Sequence, residues 1–268
     1  MSKAKCNLFL MSPPKTGSSS LFYLLKQHPF ISGCSLKEPQ FFSNNFTKGL
    51  DYYNDLFPVD DCLYRMEAST TYFSDEWAVP KMQKTCDKNI KIICVLRNPV
   101  ERFISQYKHF RAINIILNNK ELHEEFQQSI NWVDTWRRNI QNWNGCPRIY
   151  TNIFEAHESK KNLYNYLNNG NYAKSIKRIW HHFDKDNVLF IKYDDFKADY
   201  NKTISLICKF LNIEQLIVDN VSYNRTANWE KFASVEDEIT DTMLNELKIY
   251  YMESNNELKS MLGDHFLW

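Results

Sequence analysis

At 268 residues, with 43% apolar and 15% aromatic side chains, the chain is long enough for one large α/β domain with a real buried core. Its formal net charge of +1 gives no electrostatic case for nucleic acid or a strongly acidic polymer as partner. Its seven cysteines (Cys6, Cys34, Cys62, Cys86, Cys94, Cys146 and Cys208) are odd in number, scattered and without a C-x-x-C pair, which argues against a zinc site or a disulfide scaffold and points to a reducing compartment.

The first residues, MSKAKCNLFLM, hold too short an apolar run for a signal peptide or a membrane span. The expectation is a cytoplasmic chain with no membrane partner, in which the sequons at Asn45 and Asn224 carry little weight. Leu8 to Met11 reads as a buried strand. A tight loop with two prolines, Lys15, Gly17 and the run Ser18, Ser19 and Ser20 follows. Leu21, Leu24, Leu25 and His28 then share one side of a helical period. A strand feeding a helix through a Gly/Ser loop makes an anion cradle. The N–H groups of the first turn point at the ligand, and the helix dipole favours negative charge there. Lys15 adds a mobile cation and the serine hydroxyls add donors. The nucleoside-triphosphate loop G-x-x-x-x-G-K-[ST] does not match, because Ser12 and Pro13 stand where its first glycine belongs and the lysine precedes Gly17.

Ile31 to Ser35 reads as a short strand. Leu36 to Ser43, LKEPQFFS, reads as extended or turning, because proline disfavours the helical conformation in the residue before it. Phe41 and Phe42 would pin that piece to the core, with Glu38 beside them. Ile90 to Leu96 is the best later strand, and it ends in Arg97. A nucleotide hydrolase needs a carboxylate there to organise magnesium; an arginine repels a metal and attracts a second phosphate. In RNPVERFISQYKHF, Asn98 can cap a helix, Pro99 suits its first turn, and Glu101 completes a capping-box spacing. Val100, Phe103, Ile104 and Tyr107 form its apolar stripe. Ser105 lies on another face, able to reach the same anion as Arg97.

PKTGSSSL followed by VLRNPVERFISQYKHF resembles the sulfotransferases that use 3′-phosphoadenosine 5′-phosphosulfate (PAPS), in particular the heparan-sulfate type and its bacterial relatives. The resemblance runs from Leu8 to Trp268. It implies an α/β fold in a single domain over 1–268, with a central parallel sheet flanked by helices in the P-loop-like sulfotransferase arrangement. By position it implies Lys15, Thr16, Gly17, Ser18, Ser19 and Ser20 for the 5′-phosphosulfate, and Arg97 and Ser105 for the 3′-phosphate. Glu38 matches the family's catalytic base; the alternative is a surface pair with Lys37 or a nearby arginine. Gly49 to Pro58 follows the family pattern and is expected to pack aromatics beside the substrate cleft. Arg65 to Phe73 resembles the segment E-K-[ST]-P-x-Y: Glu67, Ser69 and Tyr72 match, Ala68 replaces its lysine, and Thr70 replaces its proline.

Beyond the second motif, Ala112 to Gln141 is helical in pattern and carries Trp132, Trp136, Arg137 and Arg138, with Trp143 just after it. It reads as a helical cap or as an acceptor-side wall. Pro147 to Ser159, with His157, reads as a loop over the cleft. Asn169 to Phe183 reads as a turn and a helix with Ile176, Ile179, Trp180 and Phe183 buried, and the resemblance turns Tyr172 toward the cleft. His181 and His182 point apart on a helix and read as a surface pair. Asn187 to Tyr193 reads as a strand, Lys202 to Leu211 as an amphipathic helix and Thr240 to Leu262 as a terminal helical region. Ser222 to Lys231 lies where the family closes a loop over the cofactor, with Arg225 the nearest cation and Trp229 able to stack on adenine; a helix-capping turn is the other reading.

The implied reaction is transfer of a sulfuryl group from PAPS, without a metal, to a hydroxyl or nitrogen of a small-molecule acceptor. Lys15 would act on the leaving phosphate and Glu38 as base. The charge balance and Ala68 favour that acceptor over a glycan, which is the alternative within the class. A nucleotide kinase or NTPase, and a non-catalytic nucleotide-binding relative, are the competing classes; Arg97 speaks against the first, and Lys15 with Glu38 against the second.

Overall fold

The computed structural model describes residues 3–112, 167–217 and 239–268. They group into two compact units, one made of the described residues within 1–98 and 174–225, the other of those within 99–173 and 226–268.

The first unit is built on a five-stranded parallel sheet in the order β2-β3-β1-β4-β5. Its strands are β1 (Leu8–Leu10), β2 (Ile31–Gly33), β3 (Tyr64–Glu67), β4 (Lys91–Leu96) and β5 (Val188–Lys192). Each is within a residue or two of the expected span, save β3, which no apolar run announces. Alternate residues face opposite sides of the sheet. Leu8, Leu10, Met66, Ile93, Val95 and Ile191 share one core with Leu21, Leu24 and Leu25 of helix α1 (Ser18–Leu25) and with Ile204, Ile207 and Leu211. Phe9 faces the other way, edge-on to Phe42 at 6.0 Å between ring centroids. A sheet covered on both faces explains the unbroken apolar runs in β1 and β4.

Between β2 and β3 lie a short π-helical turn, Phe41–Asn45, and helix α2 (Gly49–Asn54). The expectation that Phe41 and Phe42 anchor this stretch holds, since both are fully buried. Tyr53 stacks on Phe41 at 4.4 Å and is itself fully buried. Helix α3 (Ala78–Thr85) leads into β4, and helix α4 (Pro99–Ala112) follows it after Arg97 and Asn98. After helix α5 (Tyr172–His182) and β5 come α6 (Tyr193–Ala198) and α7 (Tyr200–Leu211). Asp199 caps α7 by accepting the Lys202 N–H at 2.9 Å, and Asn212 ends it in the left-handed conformation, φ 54°.

In the second unit, Val100, Phe103 and Tyr107 of α4 pack with Leu167 and with Met243, Leu247 and Tyr251 of helix α8 (Asp241–Leu262). This is the stripe expected from the sequence. Gly170 is required here, since a Cβ at that position would lie 2.6 Å from the Tyr251 ring. Tyr172 is fully buried, edge-on to Trp268 at 6.1 Å, which corrects the expectation that it faces a cleft. Its ring fills core space that the Gly-x-Tyr pattern alone does not reveal. Among the described residues no helix is long and apolar enough to cross a membrane.

Candidate active site

In a parallel sheet, ligands bind beyond the carboxyl ends of the strands where the chain's winding reverses. Here β1 leads through α1 toward β2 on one side, while its neighbour β4 leads toward β5 on the other, so the reversal falls between β1 and β4. The Ser12-to-Gly17 loop and Arg97 leave the sheet at that point.

The loop is held by its own side chains. Ser12, fully buried, accepts the Val95 N–H at 2.8 Å and ties the loop to β4. Thr16, also fully buried, donates its hydroxyl to the Pro13 carbonyl at 2.8 Å. That hydroxyl therefore shapes the loop. Lys15 and Gly17 both have positive φ, 70° and 86°. For lysine this conformation costs about 1–2 kcal/mol, and such strain gathers at functional sites. Gly17 sits against β5's exit: a Cβ there would lie 3.1 Å from Phe196 and 3.2 Å from Tyr193. Gly17 supplies no capping side chain to α1, and no acidic residue stands in the helix's first turn. The positive end of the dipole thus opens onto the loop. Ser18 is buried, and Ser19 and Ser20 are half-buried.

Arg97 joins this loop directly. Its Nη1 donates to the Lys15 carbonyl at 3.4 Å, and its guanidinium lies 4.8 Å from the centroid of the Tyr193 ring. Burial, and secondarily the Arg97 charge, hold the Lys15 ammonium below the usual lysine range. Lys15 is thus half-buried beside a second cation, where the sequence suggested a mobile one. Two neighbouring cations at an uncapped helix start form a site whose electrostatics call for an anion.

Glu38 follows β2 at the same end of the sheet. It forms an ion pair with Lys37, as the surface-pair alternative expected, with its side chain 31% exposed. It also accepts the Thr70 hydroxyl at 3.0 Å. Thr70, which replaces the family's proline, is a contact that sequence reasoning missed. So is Tyr193, brought under Arg97 from a distant part of the chain. Ser105 is half-buried on α4 in the second unit. His182 Nδ1 lies 2.8 Å from Gln83 Oε1 in the first unit. Arg225 and Trp229, the stretches Pro147 to Ser159 (with His157) and Ser222 to Lys231, and nearly all of Ala112 to Gln141 with its tryptophans and arginines, together with Trp143, lie outside the described residues.

Comparison with known proteins bears on the family and the fold. Residues 5–251 match the family described as the sulfotransferase domain. The human bifunctional heparan sulfate N-deacetylase/N-sulfotransferase 2 is 38% identical over 112 residues, which cover 38% of this chain and 13% of that protein. The chain thus spans a small part of that relative's length. The membrane-associated sulfotransferase kil1 of Dictyostelium discoideum is 23% identical over 98% of this chain and 66% of its own. Among solved structures, a sulfotransferase from Alicyclobacillus acidocaldarius superposes with a TM-score of 0.72 at 22% identity, covering 97% of this chain and 96% of that one. Mouse sulfotransferase SULT7A1, complexed with PAP, superposes with a TM-score of 0.54 at 16% identity, covering 99% and 88%. These two structural likenesses bear on the fold.

Proposed function

The chain belongs to the sulfotransferase domain family, and from that premise we propose that it transfers a sulfuryl group from PAPS to a small-molecule acceptor, as one catalytic domain over 1–268. The observation that carries this reading is the junction of Lys15, Arg97 and the uncapped start of α1 at the β1/β4 reversal. Their chemistry fits PAPS, which presents phosphate groups on both sides of its ribose and no metal-dependent triphosphate. The loop N–H groups, with Gly17, Ser18, Ser19 and Ser20, hold the 5′-phosphate, and Thr16 keeps the loop in shape. Arg97 holds the 3′-phosphate, with Ser105 as its second ligand by resemblance.

In the reaction the sulfur–oxygen bond to the 5′-phosphate breaks as a new bond forms to the acceptor oxygen or nitrogen, releasing PAP. The Lys15 ammonium offsets charge on the departing phosphate oxygen. Glu38 takes the acceptor proton. Its ion pair with Lys37 and the hydrogen bond it accepts from Thr70 hold the carboxylate in place. Arg225, by resemblance alone, is a further cofactor ligand in this proposal.

A thermal-shift panel tests the donor. PAP should raise the melting temperature in the presence of a chelator, and ATP with magnesium should leave it nearly unchanged. The reverse pattern would favour a kinase or NTPase. For the acceptor, Ala68 is fully buried at the place of the family lysine, so that cation is missing. The partial match to heparan sulfate enzymes favours a glycan as second reading. Radiolabelled transfer to p-nitrophenol but not to a de-N-sulfated heparan oligosaccharide is the expected result; transfer to the oligosaccharide alone would reverse the acceptor assignment.

A further inference from the structure

Glu67, the last residue of β3, is fully buried, and its carboxylate is surrounded by donors. Tyr53 donates its hydroxyl to Oε1 at 2.7 Å and Tyr72 at 2.9 Å. Ser69 donates its hydroxyl to Oε2 at 2.5 Å and its N–H at 3.2 Å. Two of these hydroxyls also act as acceptors. The Ser69 oxygen receives the Gln40 N–H at 2.9 Å, and the Tyr72 oxygen receives the Phe42 N–H at 3.2 Å. Both amides belong to the segment that begins at Lys37 and Glu38. That segment is also gripped where the Ala68 N–H donates to the Lys37 carbonyl at 3.0 Å and where Thr70 donates to Glu38. Gln40 is held at φ 48°, a conformation that needs such outside support.

The direction of donation matters. An ionised carboxylate only accepts, so it commits each hydroxyl proton inward and leaves the hydroxyl lone pairs facing outward, toward the amides. An amide or a protonated acid in its place presents a donor to one hydroxyl, and that hydroxyl must turn. Turning re-aims the lone pairs of that hydroxyl and weakens its hold on the backbone amide it received inside a buried network.

We infer that Glu67 is a positioning residue for Glu38: through Ser69 and Tyr72 it fixes the Gln40 and Phe42 amides, and with them the segment that carries the base. This rests on the reading of Glu38 as base. The titratable groups facing Glu67 are Tyr53 from α2, Tyr72 from the turn after β3, Cys6 ahead of β1, Cys34 after β2 and Cys86 after α3. Burial pushes all five above their ordinary ranges, so they stay neutral near neutral pH. Burial also raises Glu67, to about 7, against the pull of its hydrogen bonds. Glu67 is therefore the member of this network that titrates near neutrality.

Hydrogen exchange on full-length wild type, Glu67→Gln and Ser69→Ala, read by mass spectrometry over residues 37–43, tests the inference without knowledge of the acceptor. Expected is at least about tenfold faster exchange in this segment in both variants, with strand β4 still protected and PAP binding retained. Corrected for intrinsic rates, wild-type protection should fall as pH drops through about 7 and stay flat in Glu67→Gln. Should Glu67→Gln fail to fold, Tyr72→Phe keeps the ring and removes one relay hydroxyl. Cleavage of PAPS with water as acceptor supplies the second readout. The variants should lose at least about tenfold in kcat with KM for PAPS unchanged, a loss of the size that displaced catalytic groups cause. Wild-type protection and kcat in Glu67→Gln and Ser69→Ala, while Glu38→Gln is slow, would overturn the positioning role. Wild-type kcat in Glu38→Gln would overturn the base reading instead.

Discussion

Two cations share the carboxyl end of the β1/β4 pair, and each has a separate task in the proposed reaction. Lys15 is half-buried, held at positive φ and depressed in proton affinity, so an anionic ligand relieves a charge that the protein has already partly desolvated. Lys15→Ala should lose turnover by about 100-fold or more while still binding PAP, because its charge matters most to the departing phosphate. Single-turnover kinetics with PAPS, paired with PAP titration, checks this; unchanged turnover would remove Lys15 from the chemistry. Glu38→Gln should keep PAP affinity and lose turnover by about 100-fold, the scale of a missing general base.

At the scale of elements, the loop between β1 and α1 depends on Gly17. Gly17→Ala puts a Cβ 3.1 Å from Phe196 at φ 86°, so it should cost about 1–2 kcal/mol of stability and weaken PAP binding. Urea denaturation with PAP titration reads both, and a variant of wild-type stability would contradict the loop geometry. The elements that carry this site differ in how plainly the sequence announces them. β1, β4 and α4 are legible because the apolar runs stop at Ser12 and Arg97 with Pro13 and Pro99 close behind, and those breaks coincide with the loops that hold Lys15 and Arg97. β3 is not legible: YRME contains two charged residues, and Glu67 is buried only because three hydroxyls and an amide satisfy it. Tyr193 under Arg97 and Thr70 against Glu38 are contacts between distant stretches, which no local period encodes. The resemblance located Glu38 but not the network behind it, since that network is made by Ser69 and Tyr72 bonding to backbone amides.

For the whole molecule, the buried carboxylate leaves a signature in stability. Unfolding returns Glu67 to the ordinary value of 4.5, whereas burial in the folded protein raises it to about 7. Between these values the folded chain keeps a proton that the unfolded chain has released. Stability from this group is therefore complete below about 4.5, falls as pH rises through about 7, and is level above. Urea denaturation of wild type against Glu67→Gln should show wild type losing ground across that window; parallel curves would contradict a raised carboxyl. The reading of the molecule as a PAPS enzyme depends on Arg97 recognising a 3′-phosphate beside the Lys15 loop. Titration calorimetry of PAP and 5′-AMP, with a chelator present, on wild type and Arg97→Ala measures this most directly. Wild type should prefer PAP by about 2–3 kcal/mol, the size of hydrogen bonds to a charged group, and Arg97→Ala should erase the preference without harming 5′-AMP binding. Equal affinity of the wild-type protein for both nucleotides would contradict it.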